Sequence, residues 1–286
     1  MSQVHNQGHN RRENVLITGA SSGIGAATAS LLSREGYRVW GTTRDLSKLA
    51  KLPDGLVRAV RFVEMDVADA ESVKRGVAMV MEEAGEIDVL INNAGFGIYG
   101  PIEEVPVELV KAQFETNVFG VIRVIQEVVP SMRERRSGLV INISSLASTI
   151  VVPFQVHYGA SKRAIEAFTE GLRQELRPFG VKVVAIEPAY INTNFNNATR
   201  FGHREDSPYG SWLEASWRSI DRKLRESPPP SVVARKILRI IRDPNPPGRS
   251  PCGAFTYSLI PFVARFVPDG LREYLVRTFY GINFSA

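Results

Sequence analysis

The chain has 286 residues, 44% hydrophobic and 23% charged, the balance of an ordinary soluble globular protein long enough to bury a sizeable core without staples. One cysteine, Cys252, excludes an intramolecular disulfide and suits a reducing, cytoplasmic compartment, while His5, His9, His157 and His203 are too scattered to form a zinc site. The formal net charge is +5, yet no nucleic-acid reading motif accompanies it, and no apolar run reaches the roughly 20 residues of a membrane span.

Residues 1–13 are polar, lack an apolar signal core and read as a disordered tail. Residues 14–18 form the first strand. Thr18-Gly19-Ala20-Ser21-Ser22-Gly23-Ile24-Gly25 then opens a helix that runs to Glu35. Glycines in a strand-to-helix turn let the backbone approach a pyrophosphate, and the helix N-terminus offers it free N–H groups. Residues 37–43 are a second strand, ending in Thr42-Thr43-Arg44. An NAD-preferring site usually carries an acid here for the ribose hydroxyl. Arg44 would instead pair with a 2′-phosphate, with Ser21, Ser22 and Thr43 as hydroxyl donors, so NADP(H) is the expected cofactor. Asp45 should cap the next helix.

Residues 60–64 are a third strand, and 87–91, 139–143 and 181–186 are continuous apolar strands. Strands apolar throughout, alternating with helices, predict an α/β fold with a doubly wound parallel sheet. A long helix over 157–177 is stopped by Pro178 and Gly180. It carries Tyr158 and Lys162, four residues apart and so on one face. A phenol beside an ammonium makes a proton donor near neutral pH, and Ser145, thirteen residues upstream, can hold the oxygen that receives the proton. His157 adjoins Tyr158, but neighbouring helical residues do not share a face and no acidic third partner is evident, which argues against a hydrolase.

Taken in order, these motifs resemble the short-chain dehydrogenase/reductase family over roughly residues 14–193. The glycine turn comes first. Asp66-Val67 follows the third strand and Asn92-Asn93-Ala94-Gly95 the fourth. Asn117, Ser145, Tyr158 with Lys162, and Pro188 come next. The resemblance implies a single Rossmann-type domain with about seven parallel strands, spanning 14–257. It implies that Tyr158 is the general acid or base, that Lys162 lowers its pKa and bonds the nicotinamide ribose, and that Ser145 bonds the substrate oxygen. Asn117 would fix a water linking Lys162 to solvent. Asp66 and Val67 would meet the adenine. Asn93, with Ala94 and Gly95, would border the cofactor, and Pro188, Ile191 and Thr193 would contact its nicotinamide and pyrophosphate. Where the family often has Pro-Gly, this chain has Pro188-Ala189.

Residues 194–230 read as a mobile substrate flap with a helix near 210–224, and Phe195, Tyr209, Trp212 and Trp217 are candidates for an apolar lining. A helix over 231–242, a Pro-rich loop over 243–251 and a last strand at 254–257 follow. Residues 1–195 carry 21 Lys and Arg against 22 Asp and Glu, and residues 196–286 carry 14 against 8, so the positive surplus lies in the last third. It suits a solvated surface, an anionic substrate or an anionic membrane. In the aromatic-rich extension 258–286, Leu271, Tyr274, Leu275 and Phe279 follow helical spacing, with Gly281 as the cap. This helix packs on the domain, meets a membrane surface or joins a dimer. Within the family, the segments 39–44 and 92–97 look most like the branch that handles steroids, retinoids and other lipophilic alcohols or ketones. The expected partners are thus a lipophilic small molecule and further copies of the chain. A cofactor-binding regulator without turnover and an epimerase or dehydratase on the same scaffold are the alternatives.

Overall fold

A computed structural model describes residues 13–193, 195, 198–253 and 266–282. In chain order the elements are β1 (Asn14–Ile17), α1 (Gly23–Arg34), β2 (Arg38–Thr43), α2 (Asp54–Ala59), β3 (Arg61–Glu64), α3 (Ala70–Ala84), β4 (Val89–Asn92), β5 (Ile98–Tyr99), α4 (Val107–Phe114), α5 (Gly120–Glu134), β6 (Gly138–Ile143), α6 (Val156–Leu176), β7 (Val181–Pro188), β8 (Arg200–Phe201), α7 (Gly210–Arg225), α8 (Ser231–Arg242), β9 (Arg249–Cys252) and α9 (Asp269–Phe279). Seven strands make one parallel sheet in the order β3-β2-β1-β4-β6-β7-β9.

The sheet is apolar on both faces because successive side chains point to opposite sides. Val15 and Ile17 pack with Ala29 and Leu32 of α1 and Val233 and Ile237 of α8. Leu16, between them, packs on the other face with Val73 and Val77 of α3 and Val124 and Val128 of α5. Each fully buried aliphatic side chain contributes roughly 1.5–3 kcal/mol. The strand order reverses at β1 and β4, and there the ends of the strands diverge to open a crevice.

Several local signals act as expected. Asp45 accepts a hydrogen bond from Ser47 N at 2.9 Å and so caps the following turn. Gly180 and Gly281 close their helices at φ +70° and +71°. The last strand differs: β9 begins within the stretch read as a loop and runs one residue past it, and the expected strand at 254–257 falls outside the described residues, as do most of the tail 1–13 and much of the extension. The segment read as a flap is tied down at its start. β8 pairs with β5, Gly202 N donates to Tyr99 O at 3.0 Å, and Glu104 accepts from Arg204 N at 3.1 Å and Ser207 Oγ at 2.9 Å.

Candidate active site

The glycine turn is held against the end of β4. Thr18 Oγ1 accepts from Asn93 N at 2.9 Å and Ala94 N at 3.0 Å, and Asn93 Nδ2 donates to Thr18 O at 2.9 Å and Gly19 O at 3.1 Å. Gly19 and Gly23 adopt φ +66° and +52°, a region that side chains disfavour. Ser22, the N-cap of α1, makes no side-chain capping bond, so the first N–H groups of that helix are left for a ligand. A Cβ on Gly25 would collide with the Gly19 carbonyl and sit 2.6 Å from Asn93 Nδ2. Gly25→Ala is therefore expected to displace the turn and weaken nicotinamide-dinucleotide binding by about tenfold or more, measured by calorimetric titration; unchanged affinity would contradict this reading of the turn.

The cleft above this turn has a volume of about 570 Å³. Gly19, Ser21, Ser22, Gly23 and Ile24 line one part of it, and Thr43, Arg44 and Lys48 another. Val67, Asn93, Ala94 and Gly95 follow, then Ser145, Tyr158, Lys162, Pro188, Ile191 and Thr193. No carboxylate appears among the described lining residues, and Arg44 and Lys48 are exposed cations. Lys48 was not singled out by the sequence. Gly25 lies beneath the turn, and Asp66 does not line the cleft: its Oδ1 accepts from Ala68 N at 3.0 Å, while its neighbour Val67 faces in. The residues present fit a dinucleotide with a phosphate near Arg44.

At the other end stand the candidate catalytic residues. Ser145 follows β6, where its hydroxyl accepts from Ala147 N at 3.1 Å, and it lines the cleft together with Tyr158 near the start of α6. The Tyr158 ring is 5.4 Å from that of Phe195 and 5.8 Å from Lys162 Nζ, centroid to atom. Lys162 is buried, and Nζ donates to Ile143 O at 2.8 Å. Burial pushes the Tyr158 phenol up to about 12, with the Ser145 hydroxyl opposing it, and pushes the Lys162 ammonium down to about 8. Burial dominates both shifts, and Lys162 is not among the causes that act on the Tyr158 phenol. Asn117 lies in a wide helical turn, Glu115–Phe119, between α4 and α5. Its Oδ1 accepts from Phe96 N at 3.0 Å, and Nδ2 donates to Phe96 O at 3.0 Å and Ser161 Oγ at 3.2 Å. Both of its side-chain N–H donors are therefore engaged by protein. His157 lines no part of the cleft.

A second cavity of about 350 Å³ opens on the same tyrosine. It is walled mainly by apolar groups: Leu146, Ile150, Val152, Ile220, Leu275 and Val276, with Phe279 and Tyr280 from the C-terminal helix. Ser145, Tyr158, Pro188, Ala189, Phe195 and Leu224 belong to both cavities. Of the four aromatic candidates for the lining, only Phe195 is there. Trp217 packs 4.9 Å from Tyr99 and 4.8 Å from Phe201, ring to ring, Tyr209 donates to Glu103 at 3.0 Å, and Trp212 rests 6.3 Å from Tyr209. These three seat α7 on the domain instead of facing the chamber. The C-terminal helix is held by Lys223 Nζ, which donates to Phe279 O at 2.9 Å, and by a hydrogen bond between the Tyr190 and Tyr280 hydroxyls. The chamber residues missed by the sequence come from four separate segments, and only their helical spacing in 271–279 gave a signal.

Comparison with known proteins agrees with this geometry. The family model described as short chain dehydrogenase matches residues 13–203. A 3-ketodihydrosphingosine reductase of Bacteroides thetaiotaomicron is 38% identical over 94% of this chain and 98% of its own length. Retinol dehydrogenase 8 of Bos taurus is 34% identical over 82% of this chain and 80% of its own. A solved short-chain dehydrogenase from Streptomyces avermitilis superposes with a TM-score of 0.80 at 31% identity, covering 94% of this chain and 97% of that one. Among other similar solved structures, one at 26% identity is complexed with NADP+ and one at 27% with NAD.

Proposed function

The chain belongs to the short-chain dehydrogenase family, and from that premise we propose that it is an NADP(H)-dependent oxidoreductase acting on a bulky, lipophilic carbonyl or secondary alcohol. The observation that carries the reading is the place of Tyr158 at the junction of a cationic cleft and an apolar chamber. When bound, the cofactor supplies or accepts the hydride. The pyrophosphate would rest on the Gly19–Gly25 turn and the N-terminus of α1, with Ser21, Ser22 and Thr43 as donors. Arg44 and Lys48 would hold a 2′-phosphate. Val67 would lie at the adenine, with Asp66 bracing that loop through Ala68 N, and Asn93, Ala94, Gly95, Lys162, Pro188, Ile191 and Thr193 at the remaining cofactor groups. In the reductive direction Tyr158 gives its hydroxyl proton to the carbonyl oxygen, and Ser145 holds that oxygen in place. The chamber walls exclude water and orient the apolar body of the substrate. Two relatives, named for a keto compound and for an alcohol, support the substrate class.

Ile150 lines the chamber and not the cleft. Ile150→Trp should raise KM for long-chain ketones by roughly tenfold or more while leaving NADPH affinity unchanged, because filling the chamber costs contacts there alone. Equal KM values in steady-state assays of the two proteins would contradict the assignment of the chamber. The C-terminal helix exposes Leu271 and Tyr274 beside Arg272 and Arg277, a pattern that supports peripheral contact with an anionic bilayer. No helix among the described residues is long and apolar enough to cross a membrane. Exposed Phe119 and Phe168, next to α5 and on α6, support self-association through those helices.

A further inference from the structure

Besides Lys162, the described lining of the cleft holds three cations. Arg44 and Lys48 follow β2, and the third, Arg200, belongs to β8. Neighbouring strand residues point to opposite sides. Phe201 packs on Tyr99 and Trp217, on the side of α7. Arg200 turns into the cleft, with its guanidinium carbon 4.6 Å from the centre of the Phe96 ring. Its backbone is fixed, because Arg200 N donates to Gly97 O at 3.0 Å and β8 pairs with β5. Phe96 is fixed in turn, since Asn117 bonds both its N–H and its carbonyl. Arg200 is exposed, and no described carboxylate pairs with it. A guanidinium laid on an aromatic face keeps its N–H fork free for a bidentate acceptor.

The contacts along residues 193–200 fix the side of the site on which that acceptor lies. Thr193 stands over the glycine turn, where a Cβ on Gly23 would be 3.5 Å from it. Phe195 comes next, with its ring 5.4 Å from that of Tyr158. Thr199 reaches Gly97, where a Cβ would be 3.2 Å from its Oγ1, and Arg200 then covers Phe96. The segment has left the pyrophosphate turn and passed the reacting tyrosine before it presents its cation. The apolar chamber has no charged group among its described lining residues. A charge carried into it would be buried unpaired, which is costly. An acidic group on the substrate is therefore best served in the cleft, at Arg200.

We propose that Arg200 is a specificity-determining residue that pairs with an anionic head group of the substrate, a carboxylate or a phosphate ester, so that the protein selects acidic amphiphiles over neutral molecules of the same length. The proposal rests on the reading of Tyr158 as the reacting centre and of the chamber as the seat of the apolar body. The carbonyl stands at Tyr158 and Ser145, the alkyl body in the chamber and the head group in the cleft at Arg200. Phe96 holds the guanidinium over that end of the cleft and shields one of its faces from water.

The test compares long-chain keto acids and keto alkyl phosphates, at fixed NADPH, with neutral counterparts, the methyl ester and the free alcohol. Wild-type kcat/KM should favour one of the two anions by about fivefold or more, through KM, and the preference should shrink as salt is raised. The favoured anion tells a carboxylate head from a phosphate head. Arg200→Met keeps an apolar stem over Phe96 and removes the charge, so the anion-to-neutral ratio should fall to about one. Arg200→Lys keeps the charge and should recover part of the ratio. Calorimetry should find NADPH affinity within about twofold of wild type in both variants. No preference in the wild type, or a preference that survives Arg200→Met, overturns the proposal. So does a clear loss of NADPH and NADH affinity in Arg200→Met, which would give the cation to the pyrophosphate. Failure of the reductase reading looks different, since the wild type would then oxidise NADPH with no ketone at all. Equilibrium binding of an alkyl carboxylate and an alkyl phosphate against the alkanol, on protein loaded with NADP+, needs no turnover and would still decide the role of Arg200.

Discussion

Tyr158→Phe is expected to lower kcat for carbonyl reduction by about 10²–10⁴-fold while leaving NADPH affinity within about twofold of wild type. The substitution keeps the ring that packs 5.4 Å from Phe195 and removes only the hydroxyl. Any loss of rate then reports the missing proton. The pH profile carries the sign of the same mechanism. The Tyr158 phenol keeps its proton up to about 12, so it remains a competent acid through the neutral range. Lys162 titrates first, at about 8, and is charged below that value and neutral above it. Reduction by the wild type should therefore be level below about pH 8 and fall above it, whereas alcohol oxidation, which needs a proton acceptor, should rise. Stopped-flow turnover and fluorescence titration separate the two effects of Tyr158→Phe. Turnover that survived the substitution would remove Tyr158 from the role of general acid.

Arg44→Ala is expected to weaken NADPH binding by roughly tenfold or more and to change NADH binding little, because a guanidinium paired with a phosphate contributes only where the phosphate exists. Arg44 and Lys48 are exposed at the cleft, so salt should erode the effect. Lys48→Ala should act in the same direction and more weakly. Asp45, the first acid after β2 along the chain, has its carboxylate held by Ser47, which keeps its pKa low and its charge on the capping turn. Calorimetry with both cofactors measures the difference. Equal losses for NADPH and NADH would contradict the 2′-phosphate assignment.

The parts of this architecture that were legible in the sequence are those in which one residue type does one physical job. Strands β1, β4, β6 and β7 are apolar on both faces because helices cover both sides of the sheet, and helix α8 begins and ends at Ser231 and Arg242 as its spacing predicts. The glycine turn, Ser145, Tyr158 and Lys162 lie at strand ends or on one helix face, where local spacing fixes their meeting. Strand β9 was not legible: Arg-Ser-Pro-Cys is short and polar because it closes an edge of the sheet. The aromatic residues of α7 show the limit of side-chain type as a guide, since packing and lining a chamber call for the same apolar rings. Tyr190, Ile220, Leu224 and Val276 meet across long stretches of chain, so no local pattern announces them.

The central claim is that Tyr158 joins a dinucleotide cleft to an apolar chamber, and kcat/KM for NADPH oxidation across a homologous series of ketones of increasing alkyl length tests it most directly. The account predicts that kcat/KM climbs with chain length, by up to about fourfold for each methylene buried at ~0.8 kcal/mol, and levels off once the chamber of about 350 Å³ is filled. A flat series, or no oxidation of NADPH with any member, would contradict it.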